Sequence, residues 1–394
     1  MSVIARFGLT RRINAAGTLT RLGGRPMAPE VAEAMAEAAG LSLDIASLQQ
    51  VASDRIAATL GTEAAMVTTG AAAALTLAAA ACLAGSDFAR MAALPFAEGF
   101  PNEILLPRTH RTMYSHALAA AGARLVDLGH NDRGTGAGVR GLEPWEIDAA
   151  ITPRTAAFAF SATPETIASL ATIAAHCRAR GLPVIVDAAA QLPPRENLRR
   201  LVALGADLVC FSGGKAIGGP QASGILAGRA DLVGSALAQQ LDMDIRAEAW
   251  TPPPLLAPII RGAAPPHGIG RGFKAGKEEI IGLLVALERF ASADEAAETA
   301  ALEERLRAIA ARLDGMNSVR AMLSHSGRAP VLAVALEPPS RAATAVASLL
   351  AHDPPVHVGE RRVGEGVLLV DPQSLRPEDD ALLAEALRAS LSAA

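Results

Sequence analysis

Pro183-Val184-Ile185-Val186-Asp187-Ala188-Ala189-Ala190-Gln191 and Cys210-Phe211-Ser212-Gly213-Gly214-Lys215-Ala216-Ile217-Gly218-Gly219-Pro220 are the two stretches that decide how this chain folds. Each begins as a short apolar run and ends in small residues around one charge, an acid in the first and a lysine in the second. Short apolar runs bounded by Gly and Pro read as strands buried on both faces. The interval between Asp187 and Lys215 has room for one helix and one strand, so the two charges could meet at one edge of a sheet. The same signal recurs along the chain at Ala64 to Thr68, Glu103 to Pro107, Arg124 to Leu128, Ala156 to Ser161 and Asp207 to Phe211. Helical stretches lie between several of these runs, including the Ala-rich segment after Gly70, Tyr114 to Gly122 and Ile167 to Arg180. Such alternation predicts βαβ units: an α/β fold with a large, mostly parallel sheet covered on both faces. Ligands of such sheets collect beyond the carboxyl ends of the strands.

The rest of the chain sets the frame. Its 394 residues are 51% apolar but only 3% aromatic, so Ala and Leu must fill the core. The most apolar stretch, Gly70 to Gly85, is mostly Ala and falls short of the roughly 20 strongly apolar residues a membrane span needs. No basic, apolar, small-residue series opens the chain, so no signal peptide is expected and the location expected is cytoplasmic. The formal net charge is −4 and the basic runs are short pairs such as Arg11-Arg12 and Arg361-Arg362, which argues against a nucleic-acid partner. Cys82, Cys177 and Cys210 sit in apolar surroundings without a CxxC pair and read as core thiols. Glu278-Glu279, His325, His352 and His357 lack ligand spacing, so no structural metal is expected.

Three parts are expected: an N-terminal arm over 1–50, a large α/β domain over 51–290, and a small α+β domain over 291–394. The arm carries turns at Gly17 and Gly23-Gly24 and a helix near Pro29 to Gly40. A long helix from Lys277 to about Leu313 should break near Ser292-Ala293. Beyond it the pattern mixes strands (Val331 to Leu336, Gly366 to Val370) with helices (Arg341 to Ala351, Pro377 to Ala389).

Four segments carry chemistry. Lysine is rare in this chain, and Lys215 lies among glycines that would let backbone approach a bulky planar ligand. That is the setting needed by an amine that condenses with the aldehyde of pyridoxal 5′-phosphate (PLP); the alternative is a solvated lysine on a flexible loop. Asp187 ends a buried strand, where an acid is costly unless paired. A PLP ring nitrogen would be such a partner; capping the next helix is the alternative. Val67-Thr68-Thr69-Gly70-Ala71-Ala72-Ala73 turns from strand to helix, and the backbone N–H groups of Gly70, Ala71 and Ala72 could hold a phosphate, with the Ser212 hydroxyl beside them. Pro107-Arg108-Thr109-His110-Arg111-Thr112-Met113-Tyr114-Ser115-His116 offers His110 to stack on a pyridine face and Arg111 to hold a carboxylate or phosphate. His116 reads as a helix-surface residue.

These segments in this order, with Ile13-Asn14-Ala15-Ala16-Gly17-Thr18-Leu19-Thr20-Arg21-Leu22-Gly23-Gly24, Asp187 to Pro194, Phe211-Ser212-Gly213-Gly214-Lys215 and Gly276-Lys277-Glu278-Glu279, resemble the selenocysteine synthase (L-seryl-tRNA selenium transferase) family. The nearest likeness is to its short branch, described as selenium-transferase-like or as D-glucosaminate-6-phosphate ammonia-lyase. The resemblance runs over nearly the whole chain from Arg12. It implies the aminotransferase-like fold type I of PLP enzymes. It also implies catalytic roles for Lys215 and Asp187 and phosphate contacts from Gly70, Ala71 and Ser212; His110 is the further catalytic candidate, and His110, Ala72 and Gln191 are further candidate cofactor contacts. Candidate substrate contacts are Thr20, Arg111, Arg271, Lys274 and Arg361. The fold implies a homodimer or larger assembly, with the arm from Asn14 to Gly24 reaching a neighbour's site. The expected reaction is proton removal at Cα of a small β-hydroxy amino acid, plain or carrying a distal sugar-acid or phosphate tail, then β-elimination and release of ammonia and a 2-keto acid. Retro-aldol cleavage, racemisation or transamination would use the same equipment. A tRNA-dependent transferase is disfavoured by the missing positive charge and by the absence of a separate RNA-binding domain before residue 12. A non-catalytic fold relative is disfavoured by the intact Lys215 and Asp187.

Overall fold

The computed structural model describes residues 3–131, 141–242, 244–260, 265–325 and 329–393. It divides into two compact units, a larger one of Met27–Ala291 and a smaller one of Met1–Pro26 with Ser292–Ala394. Strand β1 (Ile13–Ala15) belongs to the smaller unit. The larger unit holds β2 (Ala64–Thr68), β3 (Glu103–Pro107), β4 (Arg124–Leu128), β5 (Thr155–Ser161), β6 (Val184–Asp187), β7 (Leu208–Ser212) and β8 (Gly224–Gly228). These seven form one sheet in the order β2-β8-β7-β6-β5-β3-β4. Only β8 runs against its neighbours, so the carboxyl ends of β7, β6, β5 and β3 share one edge of the sheet.

The apolar runs form these strands because both faces are covered. One face packs on a core that includes Phe158, Phe160, Val186, Val209 and Phe211, all at most 1% exposed. The other packs on the helix Ala71–Ala84, whose apolar residues surround its axis and are buried almost throughout. A helix apolar all round is a core element. Among the described residues no helix is long and apolar enough to cross a membrane.

The edge strand β2 is fastened by a buried polar network that the hydrophobic pattern does not disclose. Gln49 is fully buried on the helix Ile45–Leu60. Its side-chain carbonyl accepts from the Val67 backbone N–H at 2.9 Å, and its Nε2 donates to the Val67 carbonyl at 2.8 Å. The buried Gln240 donates to the Phe273 carbonyl at 2.9 Å, and the Thr69 hydroxyl donates to that same carbonyl at 3.3 Å. The strand-to-helix turn at Thr68–Gly70 is thus held from outside the sheet.

In the smaller unit, β9 (Val319–Ser324), β10 (Val331–Leu336) and β12 (Val367–Val370) form an antiparallel sheet, and β11 (Val356–Val358) pairs in parallel with β1. The residues around Asn14 are therefore not a free arm: Ile13 and Ala15 are fully buried against this unit's own core. The expected break in the long helix falls between Lys277–Ser292 and Glu295–Ala311, where Asp294 caps the second segment by accepting from the Ala296 and Ala297 N–H groups. The segment read as a helix over Tyr114 to Gly122 is a 3₁₀ turn, Met113–Ser115, followed by a short helix, His116–Ala120.

Replacing Gln49 by Leu would preserve bulk but strip the Val67 N–H of its partner. We expect the unfolding free energy in urea to fall by about 2 kcal/mol with an unchanged denaturant slope. No change would show that water takes over the Gln49 contacts.

Candidate active site

Asp187 ends β6, flanked across the ladders by Ser161 on β5 and Cys210 on β7. Its Oδ1 accepts from the Ala189 N–H at 3.0 Å. Burial pushes this carboxyl above its ordinary range, against the opposing pull of that N–H and of the Lys215 charge. The helix-cap alternative does not hold, since Ala188–Gln191 is a turn and the next helix is Asn197–Ala203.

His110 closes a 3₁₀ turn, Arg108–His110, just beyond β3, and is 7% exposed. It lines one cleft with Asp187, Thr112, Tyr114, Ser115 and Ser161. Its ring meets Phe160 edge-on, with centroids 4.6 Å apart. Its Nδ1 lies 3.4 Å from the Ser161 backbone N–H, so Nδ1 is the acceptor and Nε2 carries the proton. Burial lowers the imidazole to about 4. At neutral pH the ring is uncharged, which suits stacking on an electron-poor ring and not proton donation from an imidazolium.

Lys215 follows β7 on a tight loop: Gly213 N–H donates to the Ser223 carbonyl at 2.9 Å, and Gly218 N–H to the Lys215 carbonyl at 3.0 Å. A Cβ on Gly213 would lie 2.1 Å from the Ser223 hydroxyl oxygen, and one on Gly214 would lie 2.7 Å from Gln221 Cα. The glycine pair before the lysine is therefore a packing requirement as well as a motif.

The antiparallel β8 brings the possible phosphate contacts together. Gly224 is the ladder partner of both Thr68 on β2 and Ser212 on β7. A Cβ on Gly224 would sit 2.4 Å from the Gly70 carbonyl carbon and 2.7 Å from the Ala71 nitrogen. Only glycine lets the turn that opens helix Ala71–Ala84 settle beside the end of β7. Gln191 is buried, and its carbonyl accepts from the Asn197 side chain at 2.8 Å.

The arginine candidates are dispersed. Arg111 faces Asp127 at 3.7 Å on the edge strand β4, and Arg271 is paired with Asp242. Lys274 is exposed, and His116 is at the surface as expected. Thr20 and Arg361 belong to the smaller unit. Sequence reasoning missed Ser161, Phe160 and Gly224. Ser161 had a visible signal, a polar residue at the carboxyl end of an apolar run, whereas Gly224 had none, because β8 is too rich in glycine to read as a strand. Cys177 and Cys210 are buried free thiols, and Cys82 is partly buried. Burial pushes Cys82 and Cys177 up to about 12. Among the described residues no group of three or more His, Cys, Asp or Glu could hold a metal ion.

The depressed His110 has a measurable consequence. Its folded value, about 4, lies below the ordinary 6.5, so the unfolded chain binds the proton more readily and stability must fall as pH drops from about 6.5 toward 4. At 1.36 kcal/mol per unit the loss approaches roughly 3 kcal/mol. Urea unfolding of the wild type and His110→Gln across this range should show the stability difference between them changing with pH; a constant difference would refute a neutral buried imidazole.

The fold and site can be set beside known proteins. Residues 176–252 match the family model described as L-seryl-tRNA selenium transferase. Over 95% of its length the chain is 33% identical to a 5′-C-glycyluridine monooxygenase-decarboxylase of a Streptomyces species, covering 88% of that protein. It is 28% identical to the D-glucosaminate-6-phosphate ammonia lyase of Salmonella typhimurium, over 98% of this chain and 97% of that one. A solved structure of a D-glucosaminate-6-phosphate ammonia-lyase superposes with a TM-score of 0.82 at 27% identity, covering 100% of this chain and 99% of that one. Serine palmitoyltransferase from S. paucimobilis, solved with a bound PLP adduct, shares the fold alone: TM-score 0.55, 15% identity, 97% and 87% covered. The chain belongs to the selenium-transferase-like family of PLP-dependent enzymes, in the aminotransferase-like fold of type I.

Proposed function

We propose that this protein binds PLP through Lys215 and eliminates the β-hydroxyl of a small amino acid, releasing ammonia and a 2-keto acid. The observation that carries the reading is the shared cleft of a partly buried, weakly compensated Asp187 and a neutral His110, with Lys215 close enough for its charge to act on Asp187. The site fits the cofactor on its own terms. A carboxylate raised by burial gains from a protonated ring nitrogen, a neutral imidazole from a flat electron-poor face, and the Gly70–Ala72 turn beside Ser212 from a phosphate.

When bound, PLP supplies an electron sink that makes the Cα proton of an attached amino acid acidic. Asp187 would hold the ring nitrogen and His110 would shield the ring from water. Gly70, Ala71, Ala72 and Ser212 would hold the phosphate, with Gln191 nearby. The Lys215 amine would serve as the base that takes the Cα proton. Loss of the β-hydroxyl as water, followed by hydrolysis of the C–N bond, yields the 2-keto acid and ammonia. A substrate with a sugar-acid or phosphate tail agrees with the substrate of the ammonia-lyase relative, D-glucosaminate 6-phosphate. Arg111, Arg271 and Lys274 of the larger unit are proposed for its carboxylate and tail; Thr20 and Arg361 are separate candidates on the smaller unit. The family's fold supports a homodimer or larger assembly.

The relative at 33% identity favours a second reading, loss of the Cα carboxylate instead of the Cα proton, with dioxygen as the oxidant its name requires. The two separate by product: ammonia and keto acid without oxygen consumption, or carbon dioxide with it.

PLP added to the purified protein should give a visible absorbance band, and borohydride should fix the cofactor to Lys215. Lys215→Ala should abolish both. Asp187→Asn should retain cofactor yet lose roughly 10³-fold in keto-acid release from β-hydroxy amino acids. A wild type without the band at excess PLP would refute the assignment.

A further inference from the structure

The smaller unit holds a second arrangement that its folding does not explain. His357 on β11 is 6% exposed and lies between two guanidinium groups. Arg12 Nη1 approaches its Nε2 within 3.5 Å, and Arg21 Nη1 approaches its Nδ1 within 3.4 Å. A neutral imidazole has one acceptor nitrogen and one N–H. It can satisfy only one of these arginines, and its N–H must face the other, donor against donor. A protonated ring would face both with like charge. Neither state is satisfied by the protein alone, and each becomes favourable when an anion accepts from the ring and from the guanidinium groups together.

The surroundings leave that anion to come from outside. Arg11, next in sequence, is neutralised by the buried Asp379 at 2.7 Å. Arg12 has no carboxylate partner among the described residues. Arg21 has only the distant Glu360, at 3.7 Å, with both side chains about half exposed, an arrangement of little strength. Asn14, the ladder partner of His357, spends its side chain on its own turn: Nδ2 donates to the Gly17 carbonyl and Oδ1 accepts from the Ala16 N–H, each at 3.0 Å. Burial first, then Arg21 and Arg12, hold the His357 ring below its ordinary value, and Glu360 opposes them weakly.

We infer that Arg12, Arg21 and His357 form an oxyanion-binding site for the carboxylate or phosphate of a small molecule. This inference rests on the smaller unit alone and stands whether or not Lys215 carries PLP. The two guanidinium groups supply planar donor forks, and the imidazole between them supplies a third donor that strengthens when it gains a proton.

The test follows the His357 ring resonance by NMR in PLP-saturated protein, so that a phosphate site in the larger unit is already filled. The signal is identified among the eight histidines by its loss in His357→Gln. Sulfate, whose charge is constant with pH, stands for a phosphate group, and acetate for a carboxylate. The expected result is a saturable shift with one or both anions, the tighter arm naming the source. Arg12→Gln and Arg21→Gln should each weaken binding about tenfold, as loss of one charge-assisted hydrogen bond would. Binding should tighten as pH falls, and in His357→Gln, where the anion is followed by titration calorimetry instead, that dependence should be absent. Both arginines are exposed, so their removal should leave the melting temperature unchanged. No saturable shift with either anion, or a shift unaltered in the double arginine variant, would overturn the inference.

Discussion

A carboxylate at the end of a central strand, short of compensation, governs this molecule. Asp187 has one backbone N–H and the field of one lysine to set against the loss of water around it. Burial of an unpaired charge is among the most expensive things a fold can contain. Packing alone would have favoured an apolar residue there, as at Val184 to Val186 immediately before it. The same desolvation acts in the opposite sense on His110, driving off its proton. One cleft thus contains an acid drawn toward neutrality and a base already neutral. The proposed cofactor ring would give both a partner.

The second constraint is geometric and lies in one reversed strand. β8 pairs antiparallel with both β2 and β7, and its end residue Gly224 lets the turn at Gly70 and the end of β7 come together across a single residue. The buried amides of Gln49 and Gln240 then secure β2 and the Phe273 carbonyl from the outer side. The phosphate contacts proposed above therefore depend on hydrogen bonds made well away from the cleft.

Much of the sheet was legible because its strands are apolar runs bounded by turn residues, a local signal. The lysine and aspartate were legible for the converse reason: a charge that terminates such a run has no local explanation. What escaped was non-local. β8 carries too much glycine to look like a strand. β1 pairs with β11 from the far end of the chain, a contact no window of sequence contains. The arginines were the least readable, because a long flexible side chain takes whichever carboxylate the fold brings near. Arg271 found Asp242 and Arg111 faces Asp127, and neither acid stood out in the sequence.

The relatives bear names that differ in reaction while matching this chain over nearly its whole length. Under the proposed function the reason lies in a division of labour between the sheet-end residues and the groups that hold the substrate. Asp187, His110 and Lys215 would equip any amino acid for loss of a substituent at Cα, and nothing in them selects the proton over the carboxylate. That choice depends on which bond is held in line with the electron sink, and so on the groups that hold the substrate's carboxylate and tail. Such groups need charge and reach, which the exposed arginines have and the ends of buried strands lack. Specificity in this family should therefore vary at the arginines while the sheet-end residues stay as they are, and a reaction assigned from the sheet-end residues alone would be no more than a statement about the fold.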